Sequence, residues 1–164
     1  MGGISDCGPG GTVCIGLLAH VDAGKTTLSE QLLYQARALR TPGRVDAASA
    51  FLDYDPIERQ RGITIFSGMA RFEYGGRHYV LVDTPGHTDF AAEMERALAV
   101  LDAAVVVVSA VEGVQGHTEV ILRLLESRRI PAFFFINKLD RAGADAGRVL
   151  DQLRQLCGGE IIDV

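Results

Sequence analysis

The sequence is poor in cysteine, short of positive charge and without a long apolar run. Its three cysteines, Cys7, Cys14 and Cys157, are odd in number and lack metal-type spacing. They point to a reduced, cytoplasmic setting with Cys14 as a buried hydrophobe. Sixteen lysines and arginines stand against 21 acidic residues, a formal net charge of −5. That argues against a basic surface for nucleic acid, so no direct DNA binding is expected, although a triphosphate site needs only local positive groups. The longest apolar candidate, residues 103–110, has the length of a strand and not of a membrane span, so no membrane partner is expected. Residues 1–11 are glycine-rich, with neither a basic n-region nor an apolar h-region, and read as a flexible tail, not a signal peptide. No internal repeat is visible.

What is present is a chain of 164 residues, 48% hydrophobic, long enough for one domain with a real core. Apolar runs alternate with helix-like stretches. Strands are expected over residues 13–18, 62–74, 77–82, 104–109 and 132–136, and helices over 26–39, 88–101, 118–127 and 144–156. Gly75-Gly76 marks a turn between the second and third strands. In the helix over 88–101, Phe90, Met94, Ala97, Leu98 and Leu101 form the apolar set. In that over 118–127, Val120, Ile121, Leu124 and Leu125 share a side, and the strand over 132–136 reads as buried. Apolar strands alternating with helices imply an α/β fold, a mostly parallel sheet with helices on both faces. The polar stretch 41–61 is too long for an ordinary connection and reads as functional or mobile.

Ligands of such sheets bind at the carboxyl ends of the strands, and three of four polar constellations follow a strand. The first, Ala19-His20-Val21-Asp22-Ala23-Gly24-Lys25-Thr26, fits the P-loop pattern except that Ala19 replaces the first glycine. Backbone N–H groups and a helix N-terminus there suit phosphate. Gly24 permits close approach, Lys25 reaches the β- and γ-phosphates, and the Thr26 hydroxyl suits Mg²⁺. His20 reads as structural before catalytic. The second, Asp83-Thr84-Pro85-Gly86-His87, offers an acid at a strand end for Mg²⁺ and a Gly86 N–H for the γ-phosphate. The third, Arg61-Gly62-Ile63-Thr64-Ile65, offers Thr64 either as a second hydroxyl ligand of Mg²⁺ or as an ordinary β-branched strand residue. The fourth is Asn137-Lys138-Leu139-Asp140. The Asp140 carboxylate accepts two hydrogen bonds from guanine, and adenine would leave it unpaired. Lys138 lays its aliphatic stem over the base. An ATP-using P-loop enzyme and a regulatory small GTPase are the competing readings. His87 and residues 61–65 speak against the second.

These motifs resemble the translational GTPases from about Val13 onward. His87 stands where Ras-like proteins carry glutamine, and the P-loop with Ala19, His20 and Asp22 is typical of the translational group. Residues 18–28, 58–65 and 134–138 are similar to the elongation factor G branch, and most of all to the ribosomal protection proteins of tetracycline resistance. The resemblance implies a Ras-like G domain over residues 12–164 that binds GTP or GDP with Mg²⁺. It raises Thr64, in switch I, to a Mg²⁺ ligand beside Thr26 and Asp83. His87 becomes the residue that orients the attacking water. Residues 19–27, including Val21, Ala23 and Thr27, then form the phosphate loop, with Asp22 beside a monovalent cation. Asn137, Lys138 and Asp140 hold the guanine. The ribosome is the implied partner, with GTP hydrolysis slow in its absence, in a monomer. Members continue to a Ser-Ala-type fifth motif, a last strand and helix and further domains, so the chain is expected to be a piece of a longer protein. An exposed sheet edge, weak nucleotide affinity and aggregation are expected with it. An elongation factor G segment and a non-catalytic nucleotide-binding remnant are the alternatives.

Overall fold

A computed structural model describes residues 11–39, 68–84, 91–158 and 161–162. Along the described chain run β1 (Thr12–Ala19), α1 (Lys25–Gln35), β2 (Gly68–Tyr74), β3 (Arg77–Asp83), α2 (Ala91–Leu98), β4 (Ala103–Ser109), α3 (Gly116–Arg128), β5 (Ala132–Asn137) and α4 (Ala146–Cys157). The expected tail over 1–10, the polar stretch 41–61, the strand portion 62–67 and the helix start 88–90 lie outside the described residues.

The strands form one sheet in the order β2-β3-β1-β4-β5. β1 runs parallel to β3 and β4, β4 parallel to β5, and only β2 is antiparallel. Tyr74 pairs with Arg77, which leaves Gly75 and Gly76 as a two-residue turn. Their φ values of +59° and +74° match the right-handed twist of a hairpin and suit glycine at both positions.

Successive strand residues point to opposite faces and so divide the core in two. Leu18, Val106 and Val108 pack with Met94 and Leu98 of α2, Ile121 and Leu125 of α3, and Val149 and Leu153 of α4. Leu17, Leu81 and Val107 pack on the other face with Leu33 of α1. Among the described residues, helices therefore cover both faces, three on one side and α1 on the other. No helix among the described residues is long and apolar enough to cross a membrane.

Three local expectations are corrected. β5 is not buried: Phe133 is 60% and Phe135 42% exposed. Among the described residues β5 is the outermost strand, and these two side chains share the face of their partners Val105 and Val107, the α1 face. α1 contacts β1 and β3, on the far side of β4. Val120 is exposed whereas Ile121 and Leu125 are buried, because consecutive helix positions turn by about 100° and only one of the pair 120/121 can face the sheet. Cys14 is half-buried, since β4 begins to pair with β1 only at Ile15 and the Cys14 N–H turns to the Asp102 carboxylate at 2.8 Å. Burial first, and then the Asp102 charge, push the Cys14 thiol above its ordinary pKa.

Leu18 is fully buried at the centre of the larger cluster. Leu18→Ala is expected to lower unfolding free energy by about 2–5 kcal/mol, read from urea denaturation. An unchanged midpoint would contradict this core assignment.

Candidate functional site

β1 is flanked by β3 on one side and β4 on the other, so the strand order reverses at β1. In an open α/β sheet the crevice at the carboxyl end of such a strand is where a ligand fits. The chain leaves β1 at Ala19 and turns through His20–Gly24, with the Ala23 N–H donating to the His20 carbonyl at 3.3 Å. Asp22 takes a left-handed φ of +61°, which a short polar side chain tolerates. Gly24 caps α1 at φ +95°, and a Cβ there would overlap the Asn137 side-chain amide. Conformation and space thus both require glycine. Among the described residues no side chain caps the N-terminus of α1, which leaves its first N–H groups and positive dipole end facing the turn.

Lys25 opens α1 and is buried, as is Asp83 at the end of β3. Lys25 Nζ donates to Asp83 Oδ1 at 2.5 Å. Asp83 Oδ2 is buried with no hydrogen-bond partner among the described residues. Buried carboxylate oxygens are rarely left unpaired, so this atom marks a place for a further donor or cation. Thr26 is half-buried, while Val21, Asp22 and Thr27 are exposed. Thr84 donates both its N–H, at 3.3 Å, and its hydroxyl, at 2.8 Å, to the Leu17 carbonyl, which fixes the exit from β3. Among the described residues no three His, Cys, Asp or Glu side chains form a metal cluster. Mg²⁺ fits the donors present all the same, because it is commonly held by one or two carboxylates together with substrate phosphates and water.

The Asn137–Asp140 motif leaves β5 beside this turn. Asn137, the last residue of β5, donates its side-chain amide to the Ala23 carbonyl at 2.9 Å. Its own carbonyl accepts the Ala110 N–H at 2.8 Å. Lys138 sits at φ +62° and its ammonium lies 3.6 Å from Glu112. Asp140 is exposed at the rim. The structure therefore brings residues 19–27, Asp83, Asn137 and Lys138 together at one edge of the sheet. Thr64, Gly86 and His87 lie outside the described residues.

The segment after β4 has a place in this group that the motifs do not reveal. Ser109 Oγ accepts the N–H groups of Val111 and Glu112, each at 3.3 Å. Arg148 of α4 donates to the carbonyls of Ala110 at 3.3 Å and Val111 at 2.8 Å, and Gln152 accepts the Val114 N–H at 3.0 Å. Glu112 Oε2 lies 2.8 Å from His20 Nε2. The one sequence signal for this segment is its position, since β1, β3 and β5 each end in a motif and β4 ends at the same edge.

Lys25→Ala leaves the Asp83 carboxylate buried and unpaired. It is expected to cost about 3–5 kcal/mol of stability in urea denaturation, and Lys25→Met with Asp83→Leu should recover most of that loss. A neutral Lys25→Ala would contradict the burial of this pair.

Residues 11–161 match the family model of the elongation factor Tu GTP binding domain. The chain is 52% identical over 145 residues to tetracycline resistance protein TetM of Streptomyces lividans, covering 88% of this chain and 23% of that protein. It is 46% identical over 148 residues to tetracycline resistance protein TetO of Streptococcus pneumoniae, covering 90% of this chain and 23% of that protein. A crystal structure of a Thermus thermophilus protein superposes with a TM-score of 0.84 at 37% identity, covering 89% of this chain and 22% of that one. The chain thus spans less than a quarter of the length of these relatives. With its P-loop turn after β1 and five-stranded sheet, the chain belongs to the elongation factor Tu GTP-binding domain family, whose ligand is guanine nucleotide.

Proposed function

We propose that this chain is the GTP-binding and GTP-hydrolysing segment of a ribosome-associated translational GTPase of the ribosomal protection type. The observation that carries the reading is the meeting of Lys25 and Asp83 at the carboxyl edge of the sheet, with Asn137 tying the phosphate turn to the base-selecting motif. The names of the relatives, tetracycline resistance proteins, favour the protection type.

In this reading residues 19–27 and Gly86 surround the phosphates. Lys25 exchanges its partner, leaving the Asp83 carboxylate for the β- and γ-phosphates. Asp83, whose Oδ2 has no partner among the described residues, would hold Mg²⁺ together with Thr26 and Thr64. The ion supplies neutralisation of phosphate charge when bound. His87 orients the attacking water. Asn137, Lys138 and Asp140 select guanine, and Asp22 helps hold a monovalent cation near the phosphates. Catalysis of this kind is positioning and electrostatics. The reading includes a cytoplasmic monomer.

Two measurements test it. Unassisted hydrolysis is expected near ~10⁻⁴ to 10⁻² s⁻¹, as in P-loop GTPases without a partner. Ribosomes should raise it for the unsubstituted chain and not for His87→Ala. Equal rates in the two would refute the hydrolytic role and leave nucleotide binding alone. Separately, Asp140→Asn should shift preference from guanine to xanthine nucleotides by on the order of 10²-fold in competition binding. ATP competing as well as GTP for the unsubstituted chain would refute the base assignment.

A further inference from the structure

Glu112 stands between two loops that belong to different parts of the sequence. One carboxylate oxygen, Oε2, meets His20 Nε2 in the phosphate turn at 2.8 Å, and the other, Oε1, lies 3.6 Å from Lys138 Nζ in the base-selecting motif. His20 is only 7% exposed, so its ring has little freedom to swing away. We propose that Glu112 is a positioning residue that couples the phosphate loop to the base-selecting loop and thereby sets how long a guanine nucleotide stays bound. The inference rests on the reading of this edge as the nucleotide site.

The side chain of Glu112 is 41% exposed, and an exposed ion pair ordinarily contributes little, because both side chains lose freedom to form it. The backbone beneath Glu112 changes that balance. Ser109 Oγ holds the Val111 and Glu112 N–H groups, Arg148 grips the Ala110 and Val111 carbonyls, and the Gly113 N–H donates to the Ser109 carbonyl at 2.8 Å. The segment is therefore fixed to β4 and α4 before Glu112 makes either contact. A carboxylate on a fixed support spends less entropy in holding two partners. The His20 hydrogen bond, and then the Lys138 charge, hold the Glu112 carboxyl below its usual pKa against partial burial, so it is ionised at neutral pH.

Glu112 is also a second link between the same two loops. The first is the Asn137 amide on the Ala23 carbonyl. One hydrogen bond is a hinge, whereas two displaced links resist rotation. Lys138 adopts a left-handed backbone, a conformation unfavourable for a long side chain, and a partner for its ammonium helps hold it there.

The test compares the full chain with Glu112→Ala and Glu112→Gln. Dissociation of a fluorescent GDP analogue should be faster for Glu112→Ala by about fivefold or more, a usual size for coupling between sites. The thermal midpoint should fall by only a few degrees, since Glu112→Ala takes a hydrogen-bond partner from the buried His20 ring but disturbs no apolar core contact. Glu112→Gln keeps an acceptor for His20 and loses the charge opposite Lys138, so its rate should fall between the two. Equal dissociation rates for all three would overturn the inference and leave the nucleotide site intact. Hydrogen exchange of the nucleotide-free chain decides the matter without binding. Glu112→Ala should speed exchange in both residues 20–24 and residues 138–141. Acceleration in only one segment, or in neither, would overturn the coupling even if the chain failed to bind GDP, a failure that would count against the function proposed above.

Discussion

A lysine and an aspartate facing each other in the interior constrain most of what surrounds them. Burying either charge alone would be prohibitive, and burying both is tolerable only with close geometry. Lys25 and Asp83 come from different elements, so that geometry depends on the sheet. β1 pairs with β3 in a register that sets Leu17 beside Asp83, and α1 starts within a short turn of the end of β1. The Leu17 carbonyl, by accepting twice from Thr84, fixes the same junction. A phosphate oxygen is chemically the nearest replacement for the carboxylate that Lys25 touches. The pair is thus a site whose anion can be exchanged without stranding the cation, provided the released carboxylate finds a cation of its own.

The hydrophobic pattern supplies the frame for that pair. Leu17 and Leu18 point to opposite faces, as do Val107 and Val108; α2, α3 and α4 pack on one face, and α1 covers β1 and β3 on the other. The result brings the carboxyl ends of β1, β3, β4 and β5 to one edge. At that edge backbone and side chains are polar, and the apolar packing beneath them holds the turn that carries Gly24.

Much of this can be read from the sequence because it rests on local chemistry. The runs of β1 and β4, the glycines of the hairpin, and the motifs around Lys25, Asp83 and Asn137 each carry their meaning within a few residues. What stays hidden depends on neighbours far along the chain. An apolar run such as Phe133-Phe134-Phe135 reads the same in the middle of a sheet or at its edge, and only the strand order tells them apart. Val120 and Ile121 are equally apolar, and the helix rotation that separates them is fixed by packing on the sheet. The motif assigns Asn137 to the base, whereas its observed bond reaches back 114 residues to Ala23. Glu112 belongs to no motif, and its contact with His20 spans 92 residues, so its part in the site arises only once β1 and β4 lie side by side.

The order of strands also acts as a ruler. The His20–Gly24 turn leaves β1 and the Asn137–Asp140 motif leaves β5, with β4 alone between them. Neighbouring strands lie about 4.8 Å apart, so the two loops depart about 10 Å from one another. That interval is dictated by backbone hydrogen bonds and not by any side chain lining the edge. The pleated sheet thereby sets how far apart the two loops begin, and side chains such as Asn137 then close the gap between them.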